Sequence, residues 1–258
     1  MSPFDLKELL WLLMLFPFGI VLSGGVLFAI STVRWVKDRK LRHQLEDLDL
    51  GVFISNSRVR QILMDHPCTW LAIKGRNSKR VQRALGLHDA TPCSWEEGLV
   101  EAQHHKLFVS PPVNGWILVV GSDLPEPDDD VDKCFLFLRH CSRKLGHVQY
   151  FSVNRVLNHH AWALLDDGQV FRAYAWAGET LWNQGQKTAA EKELDMSCFG
   201  YGDNGITLDF SQKDPTITNA EKVNQLAARW SFDPMSVTEN AWQKEQGIVG
   251  SLPDFRRE

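Results

Sequence analysis

Two adjacent segments, 158–165 and 169–177, carry aromatic, cationic and hydrogen-bonding side chains in alternating order. Both are typical of β-strands, and the tight-turn signal Asp166-Asp167-Gly168 between them predicts a β-hairpin. Successive side chains of a strand point to opposite faces. One face would carry small and apolar residues: Ala161, Ala163, Phe171, Ala173, Ala175 and Ala177. The other would carry Asn158, His160, Trp162, Arg172, Tyr174 and Trp176.

This second face is the strongest candidate for molecular recognition in the chain. Aromatic side chains and arginine dominate the energetics of interfaces, and a guanidinium can stack on a ring or bind a carboxylate. The following loop would close one end of the face. We therefore predict a binding surface made of His160, Trp162, Arg172, Tyr174, Trp176, Glu179 and Trp182. The competing interpretation is that the C-terminal region covers this face and pairs its polar groups internally.

Catalytic and metal-binding chemistry has weaker support. A hydrolase-like pocket would require His160, Arg172 and Glu179 to converge, which is the alternative function. Adjacent histidines on a strand point to opposite faces, so His159 and His160 cannot share a metal ion there. No cofactor and no metal site are predicted. Cys198, in a glycine-rich loop, is the thiol most open to solvent by sequence, but no histidine is placed beside it as an activating base.

The elements that must position these residues follow from periodicity and capping signals. Strands are expected over 69–75, 115–121 and 147–153, and the hairpin follows the last of them. Helices are expected over 78–85, 94–102 and 128–145, and residues 178–185 read as a loop. Two further helices would open at capping boxes, Thr188 with Glu191 and Thr218 with Glu221. From Pro234 on, no clear element is indicated beyond a candidate short helix.

The N-terminal region contains a candidate membrane anchor. Residues 9–33 carry no charged side chain, and ~20 apolar helical residues span a bilayer. One basic residue precedes this run, whereas Arg34, Lys37, Arg39, Lys40 and Arg42 follow it. Basic flanks stay in the cytoplasm. We therefore expect a single-pass protein of the inner membrane with its C-terminal domain in the cytosol. A cleaved signal peptide, the rival interpretation, would have a shorter core preceded by the charge.

Other features bear on partners and compartment. Five cysteines fit neither a CxxC pair nor a disulfide framework, and free thiols suit a reducing compartment. The pairs Gly19/Ser23 and Gly25/Ala29 have the spacing that lets two membrane helices approach, so a homodimer through the span is a candidate.

Charge is the last of these features. The net charge of −4 argues against a general nucleic-acid binder. A second basic cluster, Lys74, Arg76, Lys79, Arg80 and Arg83, is either a solvated helix face or a contact with the anionic inner leaflet.

Several segments resemble conserved hypothetical proteins of bacterial genomes. These are CSWEEGL, KLFVSPPVNGW, NHHAW and RAYAWAGETLWNQG, which lie between residues 93 and 185. The resemblance implies a bacterial source and one integral α+β domain, and it brings no activity and no catalytic residue.

Together these patterns predict an α+β fold. Its mixed sheet would begin with β-α units and continue as an antiparallel meander. The expected parts are a short extracytoplasmic segment (1–8), a transmembrane helix (9–33), a basic juxtamembrane helical linker (34–65) and a soluble domain (66–258). The expected function is that of a membrane-tethered cytosolic binding module that recognises a protein or a small ligand, with the lipid bilayer as a further partner. A membrane-anchored, hydrolase-like enzyme is the alternative.

Overall fold

The computed structural model describes residues 68–203, 215–231 and 245–253. Its strands are β1 (Cys68–Lys74), β2 (His88–Cys93), β3 (Leu107–Val109), β4 (Trp116–Val120), β5 (Val148–Asn154), β6 (His159–Asp166), β7 (Gln169–Trp176), β8 (Thr180–Gln184) and β9 (Gly247–Ser251). Its helices are α1 (Ser78–Leu85), α2 (Trp95–Glu101), α3 (Val131–Leu145), α4 (Ala189–Glu193) and α5 (Pro215–Trp230). The α+β class predicted from the sequence is confirmed.

The strands form one sheet in the order β2-β9-β3-β4-β1-β5-β6-β7-β8. Every pairing between these strands is antiparallel, so the expectation of a mixed sheet is wrong. The β-α units exist along the chain, but β4 and β5, which α3 connects, are separated by β1. Because β1 is antiparallel to both, the two strands run in the same direction without pairing. The predicted meander is present as β5-β6-β7-β8.

Four strands were not expected, namely β2, β3, β8 and β9. β8 occupies the segment predicted as a loop, and β9 comes from the tail in which no clear element was expected. β9 lies between β2 and β3, where Gly247 is needed because a Cβ at this residue would approach the Phe108 ring to 2.2 Å. β3 has only three residues, and β2 is exposed over most of its length, so neither shows the alternating run that gives a distinct strand signal.

Helices cover both faces of the sheet. In β1, Trp70 and Ala72 pack into one core with α2 and α5, whereas Leu71 and Ile73 pack into a second core with α1 and α3. The segment around α4 contributes Leu194 and Met196 to the first core. The alternation along a buried strand thus supplies both layers.

Local signals placed most element ends correctly. The capping boxes Ser94/Glu97 and Thr188/Glu191 are both formed, and Asp130 caps α3. The hairpin turn has positive φ at Asp167 (46°) and Gly168 (79°), as a type I′ turn requires. The box predicted at Thr218 and Glu221 is wrong, because α5 already includes Pro215 and Thr218 therefore lies inside the helix.

The predicted transmembrane helix (9–33), its flanking segment 1–8 and the basic linker (34–65) lie outside the described residues. Across 68–203, 215–231 and 245–253, we find no helix with both the length and the apolar character needed to cross a membrane.

Candidate functional site

The predicted recognition face lies inside the protein. His160, Trp162, Arg172, Tyr174 and Trp176 are between 0% and 5% exposed. The covering elements are α5 and the segment that follows α4, which belong to the same core. An open face is therefore wrong for these residues, and the covered arrangement considered as the alternative is the one found.

Glu179 and Trp182, the two loop residues predicted to close one end of this face, do not lie on it. Glu179 is exposed. Trp182 belongs to the core on the other side of the sheet, where its ring meets Phe135 edge-on at 5.9 Å. Trp182 pairs with Ala175, whose side chain lies on the same side of the sheet, and the pairing of β7 with β8 shifts register between Ala175 and Trp176.

A buried ion pair organises the covered face. Arg172 in β7 donates from Nε to both carboxylate oxygens of Glu191 in α4, at 2.8 and 3.1 Å. Trp162 donates its indole N–H to the same carboxylate at 2.9 Å, and the Thr188 backbone N–H donates to it at 2.7 Å. The side chains of Arg172 and Glu191 are 1% and 0% exposed. A buried charge pair persists only when further hydrogen bonds satisfy both partners, as they do here.

The rest of the Arg172 guanidinium is also used. Nη1 donates to the Asn183 side chain at 2.8 Å, and Nη2 approaches Cys198 Sγ at 3.0 Å. The group therefore has little left to offer a ligand. Its partner is Glu191 rather than Glu179, so the hydrolase-like pocket of His160, Arg172 and Glu179 gains no support from this geometry.

Cys198 is the thiol nearest to this ion pair. Burial raises its pKa to about 11, the Arg172 cation opposes that rise, and the Glu191 carboxylate adds to it. The side chain is therefore mostly the neutral thiol at neutral pH, although it remains partly exposed. A neutral thiol is a poor nucleophile, which agrees with the sequence observation that no histidine is placed beside Cys198 as an activating base.

His159 and His160 face opposite sides of the sheet, as predicted. His160 stacks on Trp162 with ring centroids 5.8 Å apart and lies beside Asn219 of α5. Asn219 also accepts from the Ser197 backbone N–H at 2.9 Å. These contacts join β6 to the segment after α4 through α5.

A second polar cluster lies on the opposite side of the sheet, before α3. His159 Nδ1 is 2.8 Å from Asp128 Oδ2. Nearby, Thr69 donates to the Glu126 carboxylate and contacts Ser152 Oγ. Burial raises the pKa of Glu126, and the Thr69 hydrogen bond partly offsets that rise. A carboxyl in such an environment keeps its proton to a higher pH than an exposed carboxyl does.

Metal ligands do not come together in the described part of the chain: no three His, Cys, Asp or Glu side chains there form a group that could hold an ion. A second pair of adjacent histidines, His104 and His105, lies elsewhere in the chain, and His105 Nδ1 is 3.1 Å from Asp123 Oδ1.

α1 and the end of α3 together expose a cluster of basic side chains. We call it the basic face, and it consists of Lys79, Arg80, Arg83, Arg143 and Lys144, all exposed. α1 contains no acidic residue, and no carboxylate of the described residues forms an ion pair with any of these cations.

Two hydrogen bonds connect the α1 and α3 parts of the basic face. Arg80 Nη2 donates to the Lys144 carbonyl at 2.9 Å, and Lys144 Nζ donates to the Ala84 carbonyl at 3.2 Å. Gly86, with φ of 67°, ends α1 beside these contacts. Sequence reasoning identified the α1 cations but missed Arg143 and Lys144, because nothing local in the sequence brings the end of α3 to α1.

The role of Glu191 was also missed. It was assigned only to a helix cap, yet it neutralises Arg172. The available signal was Arg172 itself, since an arginine in a sheet core needs a buried carboxylate.

Comparison with protein-family models, curated proteins and solved structures finds no match to this chain.

Proposed function

We propose that this protein is a membrane-tethered cytosolic binding module that works through its basic face. The partner is the anionic surface of the membrane to which residues 9–33 would anchor the chain. The single observation that carries the proposal is the basic face itself: five exposed cations on two helices, with no acidic partner among the described residues.

Its charge contrasts with that of the whole chain. The chain carries a net charge of −4, so a cluster of five exposed cations on two helices is a local feature. Each Lys or Arg near an anionic leaflet contributes ~1 kcal/mol, and the attraction falls off within a Debye length. Several cations on a rigid surface, held near the bilayer by an anchor, would therefore orient the domain.

The proposal replaces the surface expected from the sequence and keeps the class of function. The aromatic and arginine residues of the hairpin serve the interior, where Arg172 is neutralised by Glu191. Binding through that face would require α5 to leave the sheet. Binding through the basic face requires no rearrangement.

Lysine acetylation of the full chain tests this function. The chain is placed in nanodiscs of phosphatidylcholine alone or with added phosphatidylglycerol, and mass spectrometry follows acetylation at each lysine. Lys79 and Lys144 should be protected when the anionic lipid is present. Lys192 is the matched control, because it is exposed on α4, which packs with the other face of the sheet.

Charge variants sharpen the result. Replacing Arg80, Arg83 and Arg143 by Gln should remove the lipid-dependent protection of Lys79, whereas Lys192→Gln should leave it intact. Equal acetylation of Lys79 in the two kinds of nanodisc would contradict the proposed function.

A further inference from the structure

A groove opens beside the basic face, between the end of α1, one side of α3 and the end of β9. Its volume is about 340 Å³, within the range of small-molecule sites. Lys133, Phe137, His140 and Lys144 of α3 line the groove at helical spacing. Residues four and seven apart share one side of a helix, so α3 presents this side to the groove.

The floor of the groove is apolar. Leu85 and Phe137 are 6% and 3% exposed and belong to the core between the sheet and these helices. Leu252, directly after β9, closes the groove from the other side. An apolar body would therefore lose water contact on both of its sides.

The ends of the groove are cationic. Lys133 and Lys144 are exposed and lie about 16 Å apart along α3, from the helical rise per residue. Lys144 is positioned by its hydrogen bond to the Ala84 carbonyl at 3.2 Å. The groove also contains one carboxylate, that of Asp123, whose Oδ1 is 3.1 Å from Nδ1 of the exposed His105.

The imidazole between the two lysines supplies a polar group rather than a charge. Burial lowers the pKa of His140, and Lys144 and Arg143 lower it further. The groove thus combines two lysine side chains, one carboxylate, an imidazole whose pKa is lowered and an apolar floor.

We infer that this groove binds a small anionic amphiphile, an apolar body that carries a carboxylate, sulfonate or phosphate, with its anionic group on Lys133 or Lys144. This site goes beyond the proposed function, because it accepts a molecule between two helices rather than a lipid surface against their exposed side.

The test uses naphthalene-2-sulfonate as the probe and the full chain in nanodiscs of phosphatidylcholine only. Acetylation of each lysine is followed by mass spectrometry as the probe concentration rises. Lys133 and Lys144 should become protected along one saturable curve, and Lys192 should not change. The neutral analogue 2-naphthol should protect them at least about tenfold less effectively, from the loss of a charge-assisted hydrogen bond.

Variants make the result decisive. Lys133→Gln alters an exposed side chain and should weaken protection of Lys144 about tenfold if Lys133 holds the anion. If Lys133→Gln has no effect, Lys144→Gln should instead weaken protection of Lys133 by that factor. Lys192→Gln should leave the curve unchanged.

Absence of saturable protection, or equal protection by 2-naphthol, would overturn the inference. Neither result bears on the basic face, because this experiment contains no anionic lipid. Conversely, loss of lipid-dependent protection at Lys79 would leave the groove assignment intact.

Discussion

Arg80 of α1 and Lys144 of α3 each donate a hydrogen bond to a carbonyl near the C-terminal end of the other residue's helix. The Arg80 guanidinium donates to the carbonyl of Lys144, which is near the end of α3, and the Lys144 ammonium donates to the carbonyl of Ala84, near the end of α1. The last carbonyls of a helix lack partners within the helix and carry partial negative charge, so cations stabilise them. This reciprocal contact fixes the ends of the two helices beside each other.

The buried pair of Arg172 and Glu191 gives the first prediction. Arg172→Met leaves an uncompensated carboxylate in the core and should lower the free energy of unfolding by about 3–5 kcal/mol. Adding Glu191→Gln, which retains an acceptor for Trp162, should restore part of that loss. Denaturant unfolding of the full chain, followed by tryptophan fluorescence, measures both. Arg155→Met, at an exposed residue, is the control, and a double variant less stable than Arg172→Met would refute the pairing.

Cys198 gives a prediction about pH. With a pKa raised to about 11, its reaction with iodoacetamide should be slow at neutral pH and rise about tenfold per pH unit below that value. Glu191→Gln removes a charge that raises this pKa and should speed the reaction at fixed pH. Mass spectrometry at the Cys198 peptide measures the rate. A rate at neutral pH equal to that of a fully exposed thiol would be inconsistent with this environment.

Glu126 gives a prediction about stability. Because the folded state raises its pKa, the folded chain binds this proton more tightly than the unfolded chain does. The associated stabilisation is complete below the unfolded pKa and is lost as the pH rises through the folded pKa. Glu126→Gln should therefore flatten the fall in thermal stability from acidic to neutral pH, whereas Glu179→Gln, at an exposed residue, should not. Parallel profiles for wild type and Glu126→Gln would exclude this role.

Topology can be tested with an engineered thiol. Val156 in the β5–β6 connection is 90% exposed, whereas Cys93, Cys134 and Cys141 are buried. With Val156→Cys, a membrane-impermeant maleimide should label the full chain only after cell lysis if the domain is cytosolic. Additional labelling in intact cells, relative to the unmodified chain, would place the domain on the outer side and remove the inner leaflet as its partner.

Sequence reasoning succeeded where structure is local. Alternation and a turn signal predicted the β6–β7 hairpin and most of its division into two faces; the exception is Phe171, which was assigned to the apolar face but is 58% exposed. Side-chain spacing predicted the capping boxes that begin α2 and α4. It failed where structure depends on distant segments. The insertion of β9 between β2 and β3, and of β1 between β4 and β5, is decided by long-range pairing that local periodicity does not encode.

The candidate site shows the same limit. The His160–Trp162 face was identified as chemically distinctive, but its side chains alone do not tell whether another layer covers it. Glu191 provides the missing information, because its carboxylate makes a buried Arg172 tolerable, and the contact connects residues 19 positions apart. Likewise, Lys144 joins the cations of α1 only through the packing of α3 against that helix.

The most direct measurement places a fluorophore on α1 of the full chain and records its quenching by a headgroup spin-labelled lipid. Gln82→Cys carries bimane between Lys79 and Arg83, and Lys192→Cys carries it on α4 as the control. In nanodiscs with phosphatidylglycerol, the fluorophore at residue 82 should be quenched more strongly than the one at residue 192, and high salt should abolish the difference. Equal quenching at the two positions in the anionic nanodiscs would contradict binding through the basic face.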